Sequence, residues 1–151
     1  MLEIHQFPCL TDNYGFLIRD DATGKTACID TPDAKAILAE LDKLGWGLTY
    51  ILNTHWHPDH AGGNAEIKAA TGATSIGPAE VERLTPIDRK VVGGDTVDLG
   101  ETRFQVIESG APMYMPTLPA PALVSRSGQV CSWVWPTLLS LNRMSLSCWS
   151  T

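Results

Sequence analysis

The chain has 151 residues, 44% hydrophobic and 19% charged, which suits one domain of ordinary size with enough apolar material for a core. Its net charge of −6 and pI near 5.0 argue against nucleic acid or an anionic membrane as the main partner, since either would want a basic face. The four cysteines, Cys9, Cys28, Cys131 and Cys148, lie far apart with no Cys-x-x-Cys pair, so neither a thiolate zinc site nor a disulfide framework is indicated.

Met1-Leu2-Glu3-Ile4-His5 has no basic stretch or long apolar core of the signal-peptide kind, and no run reaches transmembrane length. A cytoplasmic monomer acting on a small molecule is the expectation. Residues 2–7 alternate apolar and polar and predict a strand; 14–19 predict a second, and 26–30 a third, joined by turn residues at 20–25 into a hairpin. Thr31 is the predicted cap of the next helix, with Pro32 at its first position and Gly45 closing it. Ile37, Leu38, Leu41 and Leu44 repeat along it at helical spacing, a core stripe.

Residues 48–53 predict a buried strand, and the stretch from Ala61 predicts a helix that runs to Thr71 and stops at Gly72. Residues 74–77 predict a short strand, 78–84 one or two helical turns, and 96–99 with 102–107 a hairpin around Gly100-Glu101. Strands mixed with helices, with hairpins at both ends, give an α/β layered class.

Between the strand at 48–53 and the following helix lies Thr54-His55-Trp56-His57-Pro58-Asp59-His60, which holds three of the chain's four histidines. Imidazole nitrogen and carboxylate oxygen are borderline to hard donors that suit a divalent ion such as zinc, iron or manganese. A loop at a strand's carboxyl end is where α/β sheets commonly place their sites. On it His55 and His57 can face one ion while Asp59 and His60 turn to a second. Thr54 is placed to orient a ligand, Trp56 and Pro58 to shape the loop, and Gly62 and Gly63 to allow close backbone approach. Asp30 could hydrogen-bond within the site region or cap the helix after Thr31, the structural role being preferred, and the lone His5 is read as an ordinary hydrogen-bonded group.

The run Thr-His-x-His-x-Asp-His resembles the signature of the metallo-β-lactamase superfamily. Phe7-Pro8-Cys9-Leu10-Thr11-Asp12-Asn13-Tyr14 and Ile29-Asp30-Thr31-Pro32-Asp33-Ala34 are similar to the hydroxyacylglutathione hydrolases, the glyoxalase II family, a likeness that spans residues 1–108. The resemblance implies the N-terminal half of an αββα sandwich. It also implies two divalent ions, zinc foremost with iron or manganese as alternatives, bridged by a hydroxide and hydrolysing S-2-hydroxyacylglutathione such as S-lactoylglutathione. It makes His55 and His57 ligands of the first metal, Asp59 and His60 ligands of the second, and Asp59 the catalytic residue; substrate-binding residues stay unassigned.

From residue 109 the character changes. The segment 109–151 contains no His, Asp or Glu, four prolines between 112 and 121, and Trp133, Trp135 and Trp149. It is read as an atypical, irregular tail, frameshifted near codon 109, disordered, or a natural addition. The resemblance would place further ligands beyond 108, and this tail cannot supply them. The expected function is therefore metal-dependent thioester hydrolysis with this chain impaired. Alternatives are a sulfur dioxygenase or lactonase of the same superfamily, and an inactive, truncated product.

Overall fold

The structure, a computed structural model, describes residues 1–108 and 112–116. Strands β1 (Leu2–Cys9), β2 (Asn13–Asp20) and β3 (Thr26–Ile29) form an antiparallel meander. Helix α1 (Ala34–Leu44) then crosses over to β4 (Tyr50–Leu52), which pairs parallel to β3. A single helical turn α2 (Pro58–Ala61), helix α3 (Asn64–Thr71) and β5 (Thr74–Gly77) follow, with β5 parallel to β4. A 3-10 turn (Ala79–Arg83) leads to the short β6 (Arg89–Lys90), and the six strands make one sheet in sequence order. A second, antiparallel sheet holds β7 (Thr96–Leu99), β8 (Thr102–Glu108) and β9 (Pro112–Pro116). This is the expected α/β class, with the sheet-plus-helix half of the sandwich in place.

The core follows from the two periodicities. On α1, Ile37 and Leu41 are buried and Leu38 and Leu44 partly so; they meet Leu17, Cys28 and Ile51 from the sheet and Ile67 from α3. Neighbouring strand residues such as Ile18 and Leu52 are buried as well but belong to no part of that cluster, since alternate residues of a strand leave its opposite faces. Each such side chain contributes roughly 1.5–3 kcal/mol by leaving water.

Helix α1 starts later than expected. Asp33, not Thr31, is its cap, accepting a hydrogen bond from the Ala36 N–H at 3.1 Å. Thr31 is committed elsewhere: its N–H donates to the His60 carbonyl at 2.6 Å and its hydroxyl to Asn64 Oδ1 at 2.7 Å. Gly45 and Gly72 end α1 and α3 in the left-handed conformation, as their positions predict. Two short strands escape the sequence reading, β6 with two residues and β9 inside the segment from 109 onward. Apart from 112–116, the atypical tail lies outside the described residues.

His5 pairs with Glu40 of α1 at 2.8 Å and stacks on Phe7, an ordinary partnered histidine. Among the described residues, no helix is long and apolar enough to cross a membrane.

Candidate metal centre

Parallel strands β3, β4 and β5 place their carboxyl ends along one edge of the sheet, and the candidate residues gather there. Leaving β4, the chain passes through Asn53 and Thr54 and closes into α2 at Pro58, whose missing N–H costs nothing at a first helical position. The stretch 55–57 between β4 and α2 brings the His55 and His57 rings together, and the helical turn then sets Asp59 and His60 side by side.

The donors fall into two pairs. His55 Nε2 faces His57 Nδ1 at 3.0 Å, and His60 Nε2 faces Asp59 Oδ2 at 3.5 Å. The His55 and His60 rings are 4.0 Å apart, so the pairs adjoin. Two ligands about 2.1 Å from a tetrahedral ion sit roughly 3.4 Å from each other. Both spacings are close to that, and the nitrogen and oxygen donor set suits a divalent ion. Among the described residues, no group of three or more His, Cys, Asp or Glu side chains converges on one metal position.

Asp30 organises both pairs. Its Oδ1 accepts from the Thr54 N–H at 2.8 Å, and its Oδ2 accepts from the Thr54 hydroxyl at 2.7 Å and lies 2.9 Å from His60 Nδ1. With the Thr54 proton spent on Asp30, the 3.0 Å contact between Thr54 Oγ1 and His55 Nδ1 requires that nitrogen to be the donor. By this reasoning His55 and His60 each carry a proton on Nδ1, so that in the neutral ring the Nε2 lone pair faces outward. One carboxylate thus fixes a ring in each pair, one directly and one through Thr54. Asp30 thus hydrogen-bonds within the site region, the alternative to the preferred structural role, and the Thr54 hydroxyl lies between its carboxylate and His55.

Electrostatics separate the two rings. Burial, reinforced by the charge that His60 can carry, pushes the His55 pKa down, the direction that favours the neutral ring a metal ligand would need. Burial also pulls His60 down, but the hydrogen bond and charge of Asp30, with the charge of Asp59, outweigh it and the net shift is upward.

Two features went unread in the sequence. Asp30 adopts φ 55°, a left-handed conformation that Asp tolerates better than most residues. It lets the chain leave β3 with the carboxylate against Thr54. Asn53 and Asn64 form a buried amide pair at 2.6 and 3.1 Å that ties the start of the turn to α3. The only prior signal was an Asn on each side of the histidine cluster. Gly63 packs against α1's approach, where an added Cβ would come within 2.8 Å of the Thr31 carbonyl oxygen.

A sequence model of the metallo-beta-lactamase superfamily matches residues 16–128. Curated hydroxyacylglutathione hydrolases from Erythrobacter litoralis and Hyphomonas neptunium are 61% and 57% identical over 108 and 109 residues, 72% of this chain. The chain spans 43% of the length of each. Among solved structures, ETHE1 from Myxococcus xanthus superposes with a TM-score of 0.63 at 27% identity, covering 76% of this chain and 53% of that one. BJP-1, a subclass B3 metallo-beta-lactamase of Bradyrhizobium japonicum, does so with a TM-score of 0.61 at 26% identity over 72% of this chain and 52% of its own.

Proposed function

Because the chain belongs to the metallo-beta-lactamase superfamily, we propose that the 54–60 turn is part of a binuclear metal centre for hydrolysis of a glutathione thioester. The substrate class is S-2-hydroxyacylglutathione, split to glutathione and a 2-hydroxy acid. The observation that carries this is the pair of facing donor sets, each with one imidazole fixed from behind by Asp30. The names of the similar hydroxyacylglutathione hydrolases support the choice of substrate.

His55 and His57 would hold one ion, Asp59 and His60 the other, with zinc the first choice and iron or manganese the alternatives. Such ions supply Lewis acidity, which polarises a thioester carbonyl and acidifies water. Asp59 is the carboxylate at the reacting centre, and Asp30 and Thr54 keep the rings from turning. The leaving thiolate needs little proton assistance, because a thiol pKa of about 8.5 is already near neutral.

Residues 109–151 contain no His, Asp or Glu, so this 151-residue chain brings two of the expected ligands to each ion, where a catalytic zinc uses about three from protein. Weak metal retention and low turnover are part of the proposal, as are a cytoplasmic setting and a monomeric state. Following S-lactoylglutathione hydrolysis by the purified chain with added zinc, iron or manganese tests it. Slow turnover that a chelator stops and His55→Ala removes is expected. Turnover indifferent to both would contradict the site, and none at any metal level would place the chain in the non-enzymatic class. Oxygen consumption on a glutathione persulfide would instead select the dioxygenase.

A further inference from the structure

His60 is held at two points by consecutive residues. Asp30 Oδ2 lies 2.9 Å from its ring Nδ1, and the Thr31 N–H donates to its carbonyl oxygen at 2.6 Å. Against that carbonyl sits a small polar network made of Thr31, Asn53 and Asn64, each at most 1% exposed. The Thr31 hydroxyl donates to Asn64 Oδ1 at 2.7 Å, and the Asn64 and Asn53 amides donate to each other at 2.6 and 3.1 Å. Asn53 Nδ2 also reaches the His60 carbonyl at 3.4 Å. Thr31 lies just past β3, Asn53 just past β4, and Asn64 opens α3, so three elements meet around the α2 turn. Among the described residues, the side-chain hydrogen bonds of these three end on one another and on His60, and on neither His55 nor His57. Apolar side chains of similar size would fill this space without any hydrogen bond. A satisfied buried polar network instead fixes one geometry, because a shift of any member leaves a donor or acceptor unmade.

We propose that Thr31, Asn53 and Asn64 are positioning residues for one ion of the pair: they lock the His60 main chain while Asp30 locks its ring. With carbonyl and Nδ1 both fixed, Nε2 is aimed, and the Asp59–His60 pair is preorganised for a divalent cation. The proposal rests on the metal-centre reading above. The other pair is held differently, since the His55 ring is fixed through Thr54 and its partner His57 is exposed. The network therefore acts on one pair and not on the other. Coupling runs both ways, so an ion bound at His60 must in turn hold the network closed.

Zinc titration of the full chain, followed by NMR of the imidazole rings, tests the network because each ring reports its own ion. Thr31→Val keeps the shape and the N–H but removes the hydroxyl. The His60 ring should then need on the order of tenfold more zinc, while the His55 ring responds as in the parent. Thr31→Ser, which restores the hydroxyl, should return the His60 response toward the parent's. A general loss of packing would move both rings together and would not give this split. In the unsubstituted chain, saturating zinc should slow hydrogen exchange of the Thr31 N–H about tenfold more than that of the Val106 N–H, which donates to the Asp95 carbonyl. That comparison holds whatever the variants do to folding. Rings that shift together in Thr31→Val, a His60 response unchanged by it, or equal slowing at Thr31 and Val106 overturns the proposal. A parent whose rings ignore zinc overturns it together with the metal centre. Zinc binding that splits as expected, without any hydrolysis of S-lactoylglutathione, supports the network and sinks the hydrolase reading alone.

Discussion

Asp30→Ala is expected to weaken zinc binding by on the order of 10- to 100-fold, although Asp30 is not among the proposed ligands. The side chain holds the Thr54 N–H, the Thr54 hydroxyl and His60 Nδ1, at 2.8, 2.7 and 2.9 Å. Removing it frees the His60 ring directly and the His55 ring through Thr54, so both donor pairs lose alignment at once. Asp30→Ala also puts alanine at φ 55°, which disfavours the native backbone. Asp30→Asn separates the two effects, because Asn tolerates that conformation but offers one acceptor oxygen in place of two. Equilibrium dialysis against zinc, with urea unfolding on the same samples, measures both quantities. An Asp30→Asn chain that is as stable as its parent yet binds zinc poorly supports positioning; zinc binding unchanged in both variants contradicts it.

The second large effect is on stability. Asp20, 2% exposed at the end of β2, accepts from the Thr23 hydroxyl at 2.6 Å, the Thr23 N–H at 3.2 Å, the Glu101 N–H at 3.2 Å and the Thr102 hydroxyl at 3.1 Å. It therefore ties the β2–β3 turn of the first sheet to the β7–β8 turn of the second. Asp20→Ala removes the shared acceptor of four part-buried hydrogen bonds and should cost about 1–3 kcal/mol of unfolding free energy. Gly100→Ala should strike the same joint, because φ 64° suits glycine and an added Cβ would collide with Thr23 Oγ1 and Asp20 Oδ2.

The Asp20 effect has a pH signature. The Thr23 hydroxyl, with the Glu101 N–H and Thr102 hydroxyl, lowers its folded pKa against the opposing effect of burial. A carboxylate depressed on folding binds its proton more readily when unfolded, so its contribution is complete above the unfolded value near 3.9 and is lost as pH falls through the folded value. The stability gap between the parent and Asp20→Ala should thus be constant near neutrality and narrow below about pH 4. A gap that widens on acidification would mean the carboxylate is not the accepting species.

Much of this was legible beforehand because it follows from periodicity and local chemistry. The α1 stripe, the glycines that stop α1 and α3, and the hairpin around Gly100 all obey rules confined to a few neighbouring residues. The histidine cluster was legible for the same reason, since its residue types and spacing lie within seven positions. What escaped depends on contacts across the fold. Thr31 looked like a cap until Asn64, 33 residues away, claimed its hydroxyl. Asp30 looked structural because its partners Thr54 and His60 lie 24 and 30 residues on. Strand β6 is two residues long, too short for any alternation to register.

The central claim is that His55, His57, Asp59 and His60 form a divalent metal site. Its most direct test is a zinc titration of the full chain beside His55→Ala and His60→Ala, with metal-to-protein ratio measured after dialysis. Up to two ions per chain are expected, held more weakly than in a fully liganded centre, with each substitution removing binding at its own pair. Zinc that never associates with the folded parent, or associates equally with the parent and both variants, would contradict it.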